Sequence, residues 1–264
     1  MALAHFLINL EHEKNVFYHI TVVQCNGLES GRFRETESLF NSEQYEAAKP
    51  YIKSLLQDNK KDPPIILRRL GDIESHAQRY KKAFPYYKRL LDLDDSNPDY
   101  HFLYGGTLGL HAKESSKLEA LGYLDDIKFH LKKAASLDPN HVEARWALVQ
   151  LYCELPGIVG GSLRTSRKYA DELLKISPVD GHLAQGYIEE YDKEYRAAEK
   201  CYKKAIEIGG SLTTYKKLAS LYEKKTKEYL KALITLQDAY AAHKESSLLE
   251  EISRLKKDHD LVGD

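Results

Sequence analysis

Apolar residues in this chain recur at helical rather than strand spacing. The segments "QYEAAKPYIKSLL" from 44, "RYKKAFPYYKRLLDLD" from 79, "EYRAAEKCYKKAIEIG" from 194 and "EYLKALITLQDAYAAH" from 228 share one pattern. A tyrosine is followed three residues on by an alanine, four further by a large apolar residue, and three further by another small or apolar one. The triplets are Ala48/Ile52/Leu55, Ala83/Tyr87/Leu90, Ala198/Tyr202/Ala205 and Ala232/Leu236/Ala239. Positions i, i+4 and i+7 lie on one face of an α-helix, so each segment predicts an amphipathic helix with a buried stripe. The beat has a period: Ala48 and Ala83 are 35 residues apart, and Ala198 and Ala232 are 34 apart.

Another apolar-periodic stretch precedes each of these helices and carries a small residue. Examples are Leu67/Leu70/Gly71, Gly186 in "HLAQGYIEE", and Tyr215/Leu218/Ala219/Tyr222. A small residue there lets two helices approach closely. The segments "LDPN" (137–140), "ISPVDG" (176–181) and "IGGS" (208–211) place Pro or Gly where one helix stops, and Asn, Asp or Ser where the next is capped. The repeating unit is therefore a pair of helices.

Paired helices of about 34 residues are the mark of one family, and the pattern resembles the tetratricopeptide repeat. The resemblance implies an all-α, right-handed α-α superhelix of five to six helix pairs over residues 36–244. Two units are enlarged: 98–139, with about nine extra residues expected between its helices, and 141–178, with about five more. Residues 1–35 form an N-terminal extension, and "VFYHITVVQ" within it is more strand-like than helical. The tail 245–264 carries Leu248, Leu249, Ile252 and Leu255 on one stripe and is expected to cap the array. The stretches "YGGTLGLHAKESSKLEALGYLD", "LDPNHVEARWALVQLYCELPGIVGGS" and "SPVDGHLAQGYI" resemble a bacterial tetratricopeptide subgroup with a Pro-Gly-x-x-Gly-Gly loop. That subgroup has no assigned enzymatic activity and often carries an export signal, which implies the cell envelope. No recognisable signal peptide opens this chain, which points to the cytoplasm instead.

Composition agrees with a repeat array and narrows its partners. Of 264 residues, 42% are hydrophobic and 30% charged, enough for both a core and a wetted surface. The 39 Lys and Arg nearly balance the 40 Asp and Glu along the whole chain, which provides no footprint for nucleic acid or anionic lipid. No apolar run reaches the ~18 residues that span a bilayer. Cys25, Cys153 and Cys201 are scattered, an arrangement that suits neither a disulfide framework nor a zinc knuckle. Nineteen tyrosines against one tryptophan suit thin cores whose hydroxyls stay wet.

Candidate chemistry is sparse. Gly157, Gly160 and Gly161 precede a helix, where backbone N–H groups can cradle a phosphate. Yet no lysine follows at the Walker spacing, GxGxxG is not matched, and the element before the loop is a helix. We read it as a bend, with Ser162 or Thr165 capping the next helix and an enzyme using residues 156–162 as a distant alternative. His5, His12 and His19 are seven apart, about 10.5 Å along a helix and too far for one ion. No HExxH or GxSxG occurs. No catalytic residue, cofactor or metal is expected.

Binding is the better expectation. In such arrays the first helix of each pair lines the concave groove. Aligned on the small residue, its outward positions are Arg68 and Asp72, Phe102, Trp146 and Gln150, Leu183, Tyr187, Glu190 and Tyr191, and Lys216 and Ser220. Aromatic rings mixed with single charges suit a peptide or helix of a partner protein held by a few anchors. A carboxylate clamp needs asparagine after the small residue, and this chain has Asp72, Gln150, Tyr187 or Ser220 there. The expected role is a non-catalytic protein–protein scaffold, or else an envelope module that holds or delivers a partner.

Overall fold

The structure, a computed structural model, describes residues 38–39, 44–58 and 63–261. The expected extension at 1–35, with its histidine row and Cys25, lies outside them, as does the side chain of Leu55. All regular structure among the described residues is helical. Twelve α-helices follow in order: α1 (Tyr45–Asp58), α2 (Pro64–His76), α3 (Tyr80–Leu93), α4 (Pro98–Glu114), α5 (Lys117–Leu137), α6 (Val142–Glu154), α7 (Leu163–Ile176), α8 (Pro178–Tyr191), α9 (Tyr195–Gly209), α10 (Leu212–Ser220), α11 (Tyr229–His243) and α12 (Ser247–Asp258). The chain divides into two compact units, 1–144 and 145–264.

Within each unit successive helices pack as hairpins, and the predicted stripes are the buried ones. Ala48, Ala83, Ala198, Ala205, Ala232 and Ala239 have no exposed surface, and Tyr87 and Tyr202 are 1% exposed. In the first unit Ala48 and Ile52 of α1 meet Ile66, Leu70 and Ile73 of α2, while Leu67 meets Ala83, Tyr87 and Leu90 of α3. In the second, Ser166 of α7 donates to the Val149 carbonyl of α6 at 2.7 Å, and Tyr152 stacks on Tyr169.

The small residues act as sockets. A Cβ on Gly71 would lie 2.4 Å from Cε1 of Tyr87, and one on Gly186 would lie 2.4 Å from Cε1 of Tyr202. Neither ring can lie flat against its partner helix unless that helix lacks a side chain there. Each phenol then needs an acceptor at its buried end. Tyr87 donates to Asp72 at 2.8 Å, and Tyr202 donates to Glu190 at 2.9 Å. Both carboxylates stand on the same helix as the socket.

The turns inside the hairpins repeat as well. Gln78, Lys193 and Lys227, each two residues before the hairpin's tyrosine, adopt φ of 58°, 66° and 60°. Arg79 N–H then reaches back five residues to the Glu74 carbonyl at 2.8 Å, and Glu194 N–H reaches Glu189 at 2.8 Å. In the last hairpin the same bond spans six residues, Glu228 N–H to the Tyr222 carbonyl at 2.9 Å. One residue more separates Ala219 from Ala232 than Gly186 from Ala198. A π-helical segment, Leu221–Thr226, absorbs it.

The enlarged unit departs from expectation in one respect. Its extra residues lengthen α4 to 17 and α5 to 21 residues, and only Ser115 and Ser116 join the two. Leu, Ala, Lys and Glu in this stretch favour helix, and Ser116 caps α5 by accepting from Glu119 N–H at 3.3 Å. At the other end of the chain, α12 packs on α11 through Leu248 and Leu255, both fully buried, while Leu249 is exposed. Tyr229 stacks on His259 at 3.6 Å.

Gly186→Ala is expected to destabilise the fold by about 1–3 kcal/mol, because the Tyr202 ring cannot retreat from a packed core. Gly122, in the middle of α5, has no atom within 4 Å of its would-be Cβ. Gly122→Ala should therefore stabilise by about 0.5–1 kcal/mol. Urea denaturation of the two variants checks both signs.

Candidate functional site

The outward positions of the first helices divide between the two units. In the first unit Arg68 sits 3.8 Å from Asp72, whose carboxylate also accepts from Tyr87. On α4, Asp99 faces His141 at 3.5 Å, and Phe102 lies against the same imidazole with ring centroids 5.2 Å apart. His141 holds Asp99 below the usual carboxylate range; burial opposes this and Arg68 assists it. His141 is itself 5% exposed, flanked on its other nitrogen by Glu143 at 3.1 Å. Burial works against a charged ring here, but Asp99 and Glu143 outweigh it and raise His141 to about 9. The nitrogen facing Glu143 also lies 3.2 Å from Ala144 N–H at the start of α6. It cannot donate to one and accept from the other at once, so the charged ring pairs with Glu143 and the neutral ring caps the helix.

In the second unit much of the expected wall is packed into the fold. Trp146, Gln150 and Leu183 are 6%, 4% and 7% exposed, which withdraws them from any ligand that stays at the surface. Trp146 donates to Asp180 at 3.0 Å and meets Tyr187 edge to face at 6.3 Å. Tyr187 donates to Glu154 at 2.5 Å, and burial, then Glu154, pushes its hydroxyl far above the usual tyrosine range. Both rings thus clamp α6 to α8. Glu190 accepts from Tyr202 and lies 3.6 Å from Lys225. Lys216 is bound to Glu251 at 2.6 Å, and Ser220 is half-buried.

Tyr191 and Lys217 stand apart among the described residues of the second unit. Tyr191 is 50% exposed at the end of α8. Lys217 of α10 is half-buried, and among the described residues it makes no hydrogen bond or ion pair. Burial brings its ammonium below the usual lysine range, against the pull of Glu190. Sequence alignment on the small residue pointed to Lys216 and missed Lys217, because one helical position decides which of two adjacent lysines faces a partner already in the chain. Glu154 was missed as well, although it stands four residues after Gln150 on one face. Nothing local in the sequence marks His141, since its charge depends on Asp99 in another helix.

The glycine loop is a bend, and its Val159–Ser162 amides are already bonded. Val159 and Gly161 N–H bond the Pro156 carbonyl, Gly160 N–H bonds Gly157, and Ser162 N–H bonds Tyr152 at 2.8 Å. Gly160 has φ of 94°, and a Cβ on Gly161 would strike the Leu155 carbonyl, so these two positions require glycine. Gly157 does not, as nothing lies near its would-be Cβ. Ser162 caps α7 by accepting from Thr165 N–H at 3.1 Å. A phosphate would find these amides already bonded.

The Ser115, His111 and Glu119 grouping fails on geometry as a nucleophilic triad. Ser115 and Glu119 approach His111 at 3.3 and 3.4 Å, but both at Nε2, so the ring cannot take a proton from one while bonded to the other. Burial pushes the Cys153 thiol up to about 12, which keeps it protonated and inert. Among the described residues no group of three metal-ligating side chains forms, and no helix is long and apolar enough to cross a membrane.

Comparison with known proteins agrees with the fold. The tetratricopeptide-repeat family profile matches residues 34–98. No characterised protein matches the chain by sequence. A thermophilic tetratricopeptide protein of Thermus thermophilus superposes with a TM-score of 0.56 at 18% identity, over 73% of this chain and 98% of that one. A tetratricopeptide protein of Parabacteroides merdae gives 0.58 at 16% identity, over 85% and 84%. A monomeric mutant of IFIT1 with Gppp-AAAA gives 0.61 at 19% identity, over 86% of this chain and 53% of that one. The fold is the tetratricopeptide helical-hairpin solenoid, which generally mediates protein–protein interactions.

The His141 cluster predicts a pH dependence. A histidine raised to about 9 in the folded state, against about 6.5 unfolded, adds stability that is complete below about pH 6.5 and lost as pH climbs through 9. The loss should be on the order of 3 kcal/mol. Denaturation midpoints measured at about pH 6.5 and about pH 9.5 should converge for wild type and His141→Gln at the higher value.

Proposed function

We propose that the chain is a non-catalytic scaffold that holds a peptide or helix of a partner protein against its first-helix walls. The observations that carry this reading are an open ring and an unspent charge on first helices of the second unit, Tyr191 on α8 and Lys217 on α10. A half-exposed tyrosine offers apolar area and a polar tip, and an uncommitted ammonium favours a partner that brings an acceptor. Asp72, Tyr187, Glu190 and Lys216 are bonded to other residues of the chain, so they shape the surface without reorganising when a partner arrives. The spent amides of the glycine loop and the single-nitrogen geometry at His111 favour this reading over an enzymatic one. The capped oligonucleotide belongs to the IFIT1 structure, and the even charge balance here supplies no comparable attraction for nucleic acid.

A photo-crosslinking residue placed at Tyr191 is expected to trap one discrete protein in the native host. The same residue at Lys200, exposed on α9, is expected to trap none. Lys217→Glu should weaken the Tyr191 adduct while leaving the melting temperature within a few degrees. Equal adducts at both positions, or none at Tyr191, would overturn the proposal.

A further inference from the structure

The α4–α5 hairpin contains a histidine pair that the binding role does not use. His101 is fully buried on α4, and its Nδ1 lies 2.8 Å from Nδ1 of His130 on α5. Its Nε2 lies 2.9 Å from the Asp95 carbonyl, with the Asp95 carboxylate at 3.3 Å. Rings close the pair in: Tyr104 and Phe129 stand edge-on to His130 at 4.9 and 5.0 Å. The two helices approach closely here, since a Cβ on Gly105 would lie 2.8 Å from Cβ of His130.

Hydrogen-bond logic fixes where the protons sit. A backbone carbonyl only accepts, so His101 carries its proton on Nε2 and offers a lone pair at Nδ1. His130 must then carry a proton on Nδ1 and donate it to His101. The ordinary preference of a neutral histidine plays no part, since Asp95 sets the tautomer of one ring and that ring sets the other. A first added proton can enter at Nε2 of His130 and leave the shared bond intact. A second has only Nδ1 of His101, where it would meet the His130 N–H head-on.

We propose that this pair is an acid-sensitive latch, holding α4 to α5 while one shared nitrogen lacks a proton and parting them once both are protonated. Two imidazolium rings at that separation repel, just as two adjacent carboxylates resist sharing full charge. The surrounding charges are mixed: Asp126 on α5 and Asp95 in the α3–α4 turn attract a proton, while Lys88 on α3 repels it. Burial, then His101, holds His130 below the usual histidine range. The folded chain thus binds fewer protons here than the unfolded one, and the pair's contribution to stability falls as pH drops below about 6.5. Because α4 also carries Asp99 and Phe102, parting the hairpin would disturb the first unit's wall. The latch itself stands whether or not that wall binds anything.

Nitrogen NMR of the full chain, labelled at its histidines, reads the tautomers without any substitution. Near neutral pH His130 should show a protonated Nδ1 and His101 a protonated Nε2. Two rings protonated at Nε2, titrating independently, would overturn the latch. Urea midpoints at about pH 7.5 and about pH 5.5 provide the second test. His130→Gln can donate to His101 at either pH, so it should lose at most about half of what wild type loses. An equal loss in both proteins would also overturn it, and the tautomer measurement decides the matter if the variant does not fold.

Discussion

A tyrosine ring seated against a missing side chain governs this structure. Tyr87 over Gly71 and Tyr202 over Gly186 bring two helices to a distance that no larger residue at the socket would permit. Burying the ring is favourable, but leaving its hydroxyl without a partner would cost about 1–3 kcal/mol. Asp72 and Glu190 remove that cost. Both carboxylates face outward from the first helix of their hairpin, so one interaction sets the packing between helices and part of the charge on the wall. Ala219 and Leu236 occupy the equivalent positions in the last hairpin, where an aliphatic side chain needs neither a deep socket nor an acceptor.

This coupling explains why so much of the wall is unavailable to a partner. Glu154, Asp180 and Glu190 each hold the hydroxyl or indole N–H of a packed aromatic. Breaking one of those bonds for a ligand would leave a buried donor unpaired. What remains open is what the fold does not consume. Tyr191 lies at the end of α8, beyond the last ring that needs a socket, and Lys217 lies one position away from a lysine already paired to α12. Recognition here is a residue of structural bookkeeping.

The hairpin turns show how rigid the repeat is. Three non-glycine residues accept a left-handed conformation at the same place, which costs each roughly 1–2 kcal/mol. The chain tolerates this because the tyrosine two residues later must enter its helix in register. When one residue is inserted before that turn, just after α10, the backbone widens into a π-helical segment rather than shifting the register. In the α4–α5 hairpin a larger insertion extends both helices, and their contact is kept by a histidine pair in place of a tyrosine and its carboxylate.

The fold was legible in the residues because period and stripe are local properties. The Ala48, Ala83, Ala198 and Ala232 beat names the buried face directly, and Gly71 and Gly186 announce the close approaches. The bend at Pro156–Ser162 was legible as well, since glycine and a capping serine act within a few residues of themselves. The wall was read less well, because exposure is set by residues far away in the chain. Trp146 and Tyr187 look like anchors until Asp180 and Glu154 are seen to hold them, across 34 and 33 residues. The charge on His141 and the proton on His130 likewise depend on Asp99 and His101, which only packing brings near. Sequence alone determined which helices form and which faces they bury. The tertiary structure decided which polar groups remain free, because hydrogen bonds between distant residues claim them first.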